Sequence, residues 1–208
     1  MIKKYKKSTF FAFDELLTFL LSEVHFPVSM NYFDALFSPI QKQVPRFGEN
    51  QRILFEGIPG VTNIQIGFYP VKIIKRLFEN YWPDEYELEF EPLIKNEKQK
   101  YQLNSKMTYS VQVLGGCFSQ FWDKAVPLIE AKFGTDQQKW PPLMNFGRVI
   151  RNSFSHGNKI FFLNSKAASV TWKNLVYSPS ENGRVVLFQD MGIADFIILF
   201  EEICVALI

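Results

Sequence analysis

Apolar residues in the first stretch of the chain return at intervals of three and four. Leu16, Leu17, Leu20, Leu21 and Val24 share one face at that spacing, which predicts helix from Phe13 to about Phe37. Pro27 interrupts the stretch, since it lacks an N–H and clashes with the preceding turn, so two shorter helices are expected. From Arg52 to Tyr69 the period changes. Ile53-Leu54-Phe55 and Ile64-Gln65-Ile66-Gly67-Phe68 flank Gly57, Pro59, Gly60 and Asn63, the pattern of two short strands about a turn. Gly57-Ile58-Pro59-Gly60 lacks the Lys-Ser/Thr of a phosphate-binding loop and reads as that turn alone. Helical spacing returns from Val71 to Tyr81 and stops before Pro83. The charged stretch from Asp84 to Asn104 reads as a surface connection with room for a short strand.

The second half is more regular. Val111, Leu114, Phe118, Phe121, Ala125 and Leu128 define one side of a long helix from Thr108 to Phe133. Gly115 and Gly116 inside it suggest close approach of a neighbour. After a loop from Gly134 to Lys139, Trp140-Pro141-Pro142 opens a second helix, because proline fits a first turn. That helix runs from Leu143 to His156 and ends at Gly157-Asn158. Lys159 to Leu163, Ser169 to Tyr177 and Arg184 to Phe188 are β-rich runs. Ser178-Pro179-Ser180-Glu181-Asn182-Gly183 between the last two predicts the turn of a small antiparallel ribbon. Asp190 is placed to cap a final helix with the apolar stripe Ile193, Phe196, Ile197, Phe200, Ile203 and Leu207.

Composition sharpens the picture in four places. With 208 residues, 47% of them hydrophobic and 22 of them Phe, the chain can bury a core without disulfide staples. The expected fold is mainly α, a helical bundle with small antiparallel β elements, α+β overall. A division into residues 1–105, of unassigned type, and 106–208, a helical domain with a β-ribbon insertion at about 159–188, follows the change in pattern. Net charge is only +2, so nucleic acid would have to be met by a local patch that the total hides. Cys117 and Cys204 are isolated and read as reduced core residues, and with His25 and His156 as the only histidines a His/Cys metal site has no spacing to build on. No metal or other cofactor is expected. Lys3, Lys4, Lys6 and Lys7 precede the apolar Phe10 to Phe13, but Asp14 and Glu15 cut that run short of a signal sequence. The lysines then read as a solvated tail. Asp195, Glu201 and Glu202 likewise argue against a membrane span near the C-terminus, and a cytoplasmic protein is expected.

The helix from Leu143 to His156 carries the candidate chemistry. At about 100° per residue, Leu143, Phe146, Gly147, Ile150 and Phe154 fall on one face. Asn145, Arg148, Arg151, Asn152, Ser155 and His156 gather opposite them. Asn152 and His156 are four apart, so the amide is placed to orient the ring. The carbonyls at the helix end favour a protonated imidazole. A histidine can move the proton of an attacking hydroxyl or a leaving oxygen, while arginine stabilises the charge gathering on phosphorus. The spacing alone is weakly specific. Its place on the polar face of a helix closed by glycine is what singles it out.

Arg151-Asn152, three further residues and His156-Gly157 resemble the R-x4-6-H signature of HEPN domains, with the polar residue that commonly follows the arginine. The resemblance covers about Thr108 to Ile208. It implies a helical bundle with the motif on a late helix, often paired with a second copy through that helix. It further implies metal-independent endoribonuclease activity in which a ribose 2′-hydroxyl attacks the adjacent phosphate, in a toxin or phage-defence setting. Arg151 and His156 would be the catalytic pair and Asn152 a supporting residue; Arg148 is a further candidate RNA contact. The alternative the family offers is a non-catalytic module that binds a partner or neutralising protein. Outside the motif, His25 reads as a packed or capping residue at a helix end. Trp172, Tyr177 and Phe188 read as cover for a helix before they read as stackers of bases.

Overall fold

The computed structural model describes residues 1–24, 50–94 and 105–208. The expectations for His25, for Pro27 and for a second short helix before Phe37 lie outside those residues. What is described is a mixed α+β architecture with more β structure than the chain pattern suggests. Four antiparallel strands, β1 (Ile2–Lys6), β2 (Ile53–Glu56), β3 (Ile64–Phe68) and β4 (Glu85–Pro92), form one sheet in the order β1-β4-β3-β2. The pair β2–β3 joined through the Gly57–Gly60 turn is the hairpin expected there, with Phe55 opposite Ile66. Helix α2 (Pro70–Phe78) follows it directly.

β4 is the strand for which the reading of Asp84 to Asn104 left room, and it is half-buried rather than a surface connection; residues 95–104 lie outside the described residues. The run Glu85-Tyr86-Glu87-Leu88-Glu89-Phe90-Glu91 alternates strictly, and Tyr86, Leu88 and Phe90 are buried while the glutamates occupy the other face. High charge disguised a half-buried strand with a clean period of two. The lysine-rich N-terminus is corrected by the same sheet. It is no solvated tail but an edge strand in register with β4, Tyr5 opposite Tyr86. Lys4 reaches Glu85 at 2.8 Å across the strands, and Lys3 bonds both carboxylate oxygens of Glu201 at 2.6 and 2.7 Å. Lysines on an edge also discourage pairing with another chain.

Helix α1 (residues 13–24) packs on the inner face of the sheet, with Phe13 against Tyr86 at 4.9 Å between ring centroids. The other helices are α3 (Ser105–Phe133), α4 (Pro142–Ser155) and α5 (Ile193–Leu207), and α5 also packs directly on β2 and β3. Phe118 of α3 sits among Phe121, Trp122, Phe154, Phe196 and Phe200, with ring centroids 4.9 to 6.3 Å away. Gly115 is where the close approach occurs: a Cβ there would stand 2.8 Å from Phe154 Cδ1. Gly116 instead faces open space. One continuous cluster of buried apolar side chains joins the sheet to all of these helices. Cys117 and Cys204 lie in it unbridged, their thiols pushed by burial up to about 11 and about 12. Among the described residues no helix is long and apolar enough to cross a membrane.

The ribbon forms, but not where its turn was expected. Its strands are β5 (Val170–Trp172) and β6 (Leu175–Tyr177), joined at Lys173-Asn174, so the hairpin folds within the Ser169–Tyr177 run. Lys173 takes φ +52°, a left-handed turn conformation without the glycine that normally announces it. Pro179–Glu181 is a short 3-10 turn capped by Ser178, and 184–188 forms only the isolated bridges Lys159–Val185 and Leu187–Met191. Trp172 and Tyr177 cover α4, with centroids 5.6 and 5.5 Å from Phe146. Both are buried and neither can stack a base.

Helix α5 is also different from a one-sided stripe, since every residue from Ile193 to Phe200 is buried. Asp190 does not cap it. Asp190 accepts from Arg184 and from Tyr177 instead, and Gly192 is the N-cap. The carboxylate of Asp195, with no exposure, accepts from Gly192 N–H at 2.8 Å, Ile58 N–H at 2.7 Å and Thr62 Oγ1 at 2.5 Å. Burial holds its pKa above the ordinary value even against those three donors. The backbones meet so closely that a Cβ on Gly192 would stand 2.1 Å from the Glu56 carbonyl oxygen. One buried carboxylate thus fastens the β2–β3 turn to the start of the central helix. Asp195→Ala leaves three donors without an acceptor and is expected to lower stability by about 3–5 kcal/mol. Urea unfolding measures this, and a loss below about 1 kcal/mol would contradict the role given to Asp195.

Candidate functional site

Helix α4 is fixed at both ends by local bonds. Pro142 stands in the first turn, and the Asn145 amide clamps that turn by donating to the carbonyls of Gln137 at 2.9 Å and Trp140 at 3.0 Å. At the other end Gly157 and Asn158 take φ +69° and +65°, which reverses the chain. The Ser153 carbonyl then accepts from the N–H groups of both His156 and Lys159 at 3.1 Å. Asn158 is buried and bonds Leu187 through both atoms of its amide, at 3.1 and 2.9 Å. The end of the helix is therefore tied to the 184–188 segment.

The buried arc of α4 is broader than its apolar pattern. It takes in Met144, Phe146, Gly147, Val149, Ile150 and Ser153, while Leu143 and Phe154 are half-buried. Ser153 belongs to the core, its hydroxyl donating to the Ile150 carbonyl at 2.7 Å. Arg148 is half-buried, and that burial lowers its pKa. Its Nε makes a long 3.4 Å bond to Asn145 Oδ1. Arg151 is partly exposed and lies 3.7 Å from Asp123 of α3, an exposed pair at the outer limit of contact and of little energetic weight. His156 is exposed at the C-cap.

One expectation for this face, that the Asn152 amide orients the His156 ring, needs correction. Among the described residues no hydrogen bond joins Asn152 to His156, nor Arg151 to His156. With φ −111°, His156 leaves the helical path, so its ring turns off the line above Asn152. It lies instead on Phe161, ring centroids 3.9 Å apart and planes at 26°. Arg151 and His156, five positions apart, stand about 140° apart around the axis and flank the polar face without converging. A single chain thus supplies one imidazole and one guanidinium at opposite borders of the polar face, both accessible and neither committed to a buried partner.

Phe161 is the residue sequence reasoning missed. The signal was present: Ile160 and Phe162 are buried and Phe161 and Leu163 exposed, an alternation that belongs to the Lys159–Leu163 run. Charge is also unevenly spread. Residues 140–190 hold Arg148, Arg151, Lys159, Lys166, Lys173 and Arg184 against only Glu181 and Asp190. Lys173 is paired with Glu202 and Arg184 with Asp190, whereas Lys159 and Lys166 are exposed and form no ion pair among the described residues. A near-neutral chain hides a basic region around α4.

Among the described residues no group of three or more His, Cys, Asp or Glu side chains could hold a metal ion. A cavity of about 380 Å³ opens along β2, between Ile53, Phe55, Met107 and Ile193, and no residue of the α4 motif lines it. Compared with protein-family models, curated proteins and solved structures, the chain matches none.

Proposed function

We propose that the exposed end of α4 is an RNA-cleaving site and that the chain is a metal-independent endoribonuclease of HEPN type, α3, α4 and α5 forming its helical bundle. The observation that carries this reading is His156. Its ring is exposed, steadied from one side by Phe161, and its nitrogens have no hydrogen-bond partner among the described residues. Such an imidazole is free to exchange protons with a ligand. Arg151 and Arg148 lie on the same helix, and Lys159 and Lys166 add positive charge in the adjoining segment.

In the reaction, an imidazole nitrogen takes the proton of a ribose 2′-hydroxyl. That oxygen forms a bond to the adjacent phosphorus, and the bond from phosphorus to the 5′-oxygen breaks. The departing oxygen takes a proton, leaving a 2′,3′-cyclic phosphate and a 5′-hydroxyl. Arg151 binds the phosphoryl oxygens as negative charge accumulates on them. Asn152, half-buried next to Arg151 in the chain, makes no hydrogen bond to the ring among the described residues. One chain offers one histidine to this chemistry, whereas in-line transfer gains from one group that accepts a proton and another that donates one. A two-fold dimer through α4 supplies the second, because an isologous interface sets each patch against its own copy. A second reading, a module that binds a partner protein through the same face, is favoured by Leu163, 91% exposed close to the stacked Phe161.

Arg151→Ala and His156→Ala are each expected to reduce cleavage of purified RNA by about 10²–10⁴-fold, with circular dichroism and melting unchanged. Cleavage within a few-fold of wild type would remove both from the chemistry, and cleavage lost only together with the fold would make the motif structural. Cleavage is also expected to survive EDTA and to leave cyclic phosphate ends. Strict dependence on magnesium or manganese with 3′-hydroxyl products would place the reaction in another class. Mixing the two inactive variants is expected to recover activity at concentrations where sedimentation finds dimers, since a mixed dimer brings an intact Arg151 and an intact His156 from opposite chains. An active protein that sediments only as a monomer would overturn the composite site.

A further inference from the structure

The segment that carries Phe161 is rigid although its central ring is exposed. Ile160 N–H donates to the Arg184 carbonyl at 2.9 Å, and Gly183 N–H donates to the Ile160 carbonyl at 2.9 Å. Asn182 then grips Phe162 on both sides, its Oδ1 accepting from Phe162 N–H at 2.7 Å and its Nδ2 donating to the Phe162 carbonyl at 3.0 Å. Ile160 and Phe162, 1% and 8% exposed, anchor the backbone in the core on either side. Between these anchors Phe161 remains 38% exposed with His156 on one face of its ring.

We infer that Phe161 is a nucleobase-stacking platform: the part of its ring left open beside His156 receives an unpaired base and so selects single-stranded RNA. The inference rests on the RNA reading of the α4 end and adds its substrate class. Three observations support it together. The ring is preorganised, so little conformational freedom is lost when a base settles on it. Lys159, two residues before, and Lys166, further along the same connection, are exposed and form no ion pair among the described residues, which leaves both available to phosphates. Third, of the other aromatics of this region with the chemistry to stack, Trp172 and Tyr177 are buried against α4, and Phe188 is half-buried at the cavity along β2, away from His156. A base in a duplex has both faces covered by its neighbours, whereas one in a single strand can leave the stack for an aromatic side chain. A base held on Phe161 would bring its own ribose and phosphate to the imidazole that the same ring steadies.

The test measures binding, independently of cleavage. A fluorescein-labelled 2′-O-methyl oligonucleotide has no attacking hydroxyl and remains intact during titration. Its single strand is expected to bind wild type at least tenfold more tightly than the matching duplex. Phe161→Leu, which keeps an apolar side chain but removes the aromatic face, is expected to lose about tenfold for the single strand and nothing for the duplex. Phe161→Trp is expected to retain or tighten binding. The His156 ring protons, read by NMR in the same variants, establish whether each is folded and whether the stack is present. If Phe161→Leu is folded and binds the single strand like wild type, the platform is wrong while the RNA reading stands. Equal losses for single strand and duplex would make Phe161 a backbone contact and also overturn it. A change of sedimentation coefficient in Phe161→Leu, with oligonucleotide binding intact, would assign the ring to a protein interface instead. Wild type that binds neither oligonucleotide would remove the RNA reading itself.

Discussion

The fold turns on a carboxylate with no access to water. Asp195 gathers N–H groups from Ile58 and Gly192 and the hydroxyl of Thr62, and so joins a hairpin turn of the N-terminal sheet to the first turn of α5. A lone buried carboxylate is expensive, and three donors aimed at it are what make the junction stable. The near contact of Gly57 and Gly192 follows from the same geometry, because any side chain on Gly192 would strike the Glu56 backbone. Helix α5 is buried along its first half and packs against β2, β3, α3 and α4, so its placement determines where the others can lie.

The candidate site stands at the far end of this chain of constraints. α4 is held against α3 by two glycine contacts: Phe154 fills the space over Gly115, and Trp122 lies where a Cβ of Gly147 would be, 2.6 Å from its Cζ3. The core buries one broad side of α4 and gives way at the last turn, where Ser155 and His156 are exposed. There Gly157 and Asn158 turn the chain back, Asn158 pins it to Leu187, and Phe161 is delivered to the ring of His156. The reactive-looking groups are thus carried on a stiff element with an exposed end. They are accessible because the core stops there, not because a pocket forms around them.

Most helices of the second half were legible because their period is dictated by one buried face: the span of α3, the Pro142 start of α4 and its glycine end all follow from local rules. The β2–β3 hairpin was legible for the same reason, since Gly57 to Asn63 carry turn residues between two apolar runs. Three features were hidden by physical circumstance. Lys4 of β1 pairs with Glu85 and Glu87 of β4 while Arg52 takes Glu89 and Glu91, pairings that composition cannot reveal. The β5–β6 turn uses Lys173 at positive φ, where the chain carries no glycine. Asp195 could not be recognised as a junction because two of its three donors come from residues more than a hundred positions away. At the site, the positions of Arg151 and His156 on the polar face were readable from the helix, but the orientation of the imidazole was not. It depends on Phe161, a residue beyond the helix whose placement is set by backbone bonds to 182–184.

The central claim concerns which atoms react at the end of α4, and a chimeric oligonucleotide with a single ribose in an otherwise deoxyribose strand tests it most directly. Incubated with the purified chain in EDTA, it is expected to be cut only at the phosphodiester 3′ to that ribose, leaving a cyclic phosphate, and to remain intact when the ribose is 2′-O-methylated. Cutting at deoxyribose positions, or cutting that persists after methylation, would contradict attack by the 2′-hydroxyl and with it the role given to His156.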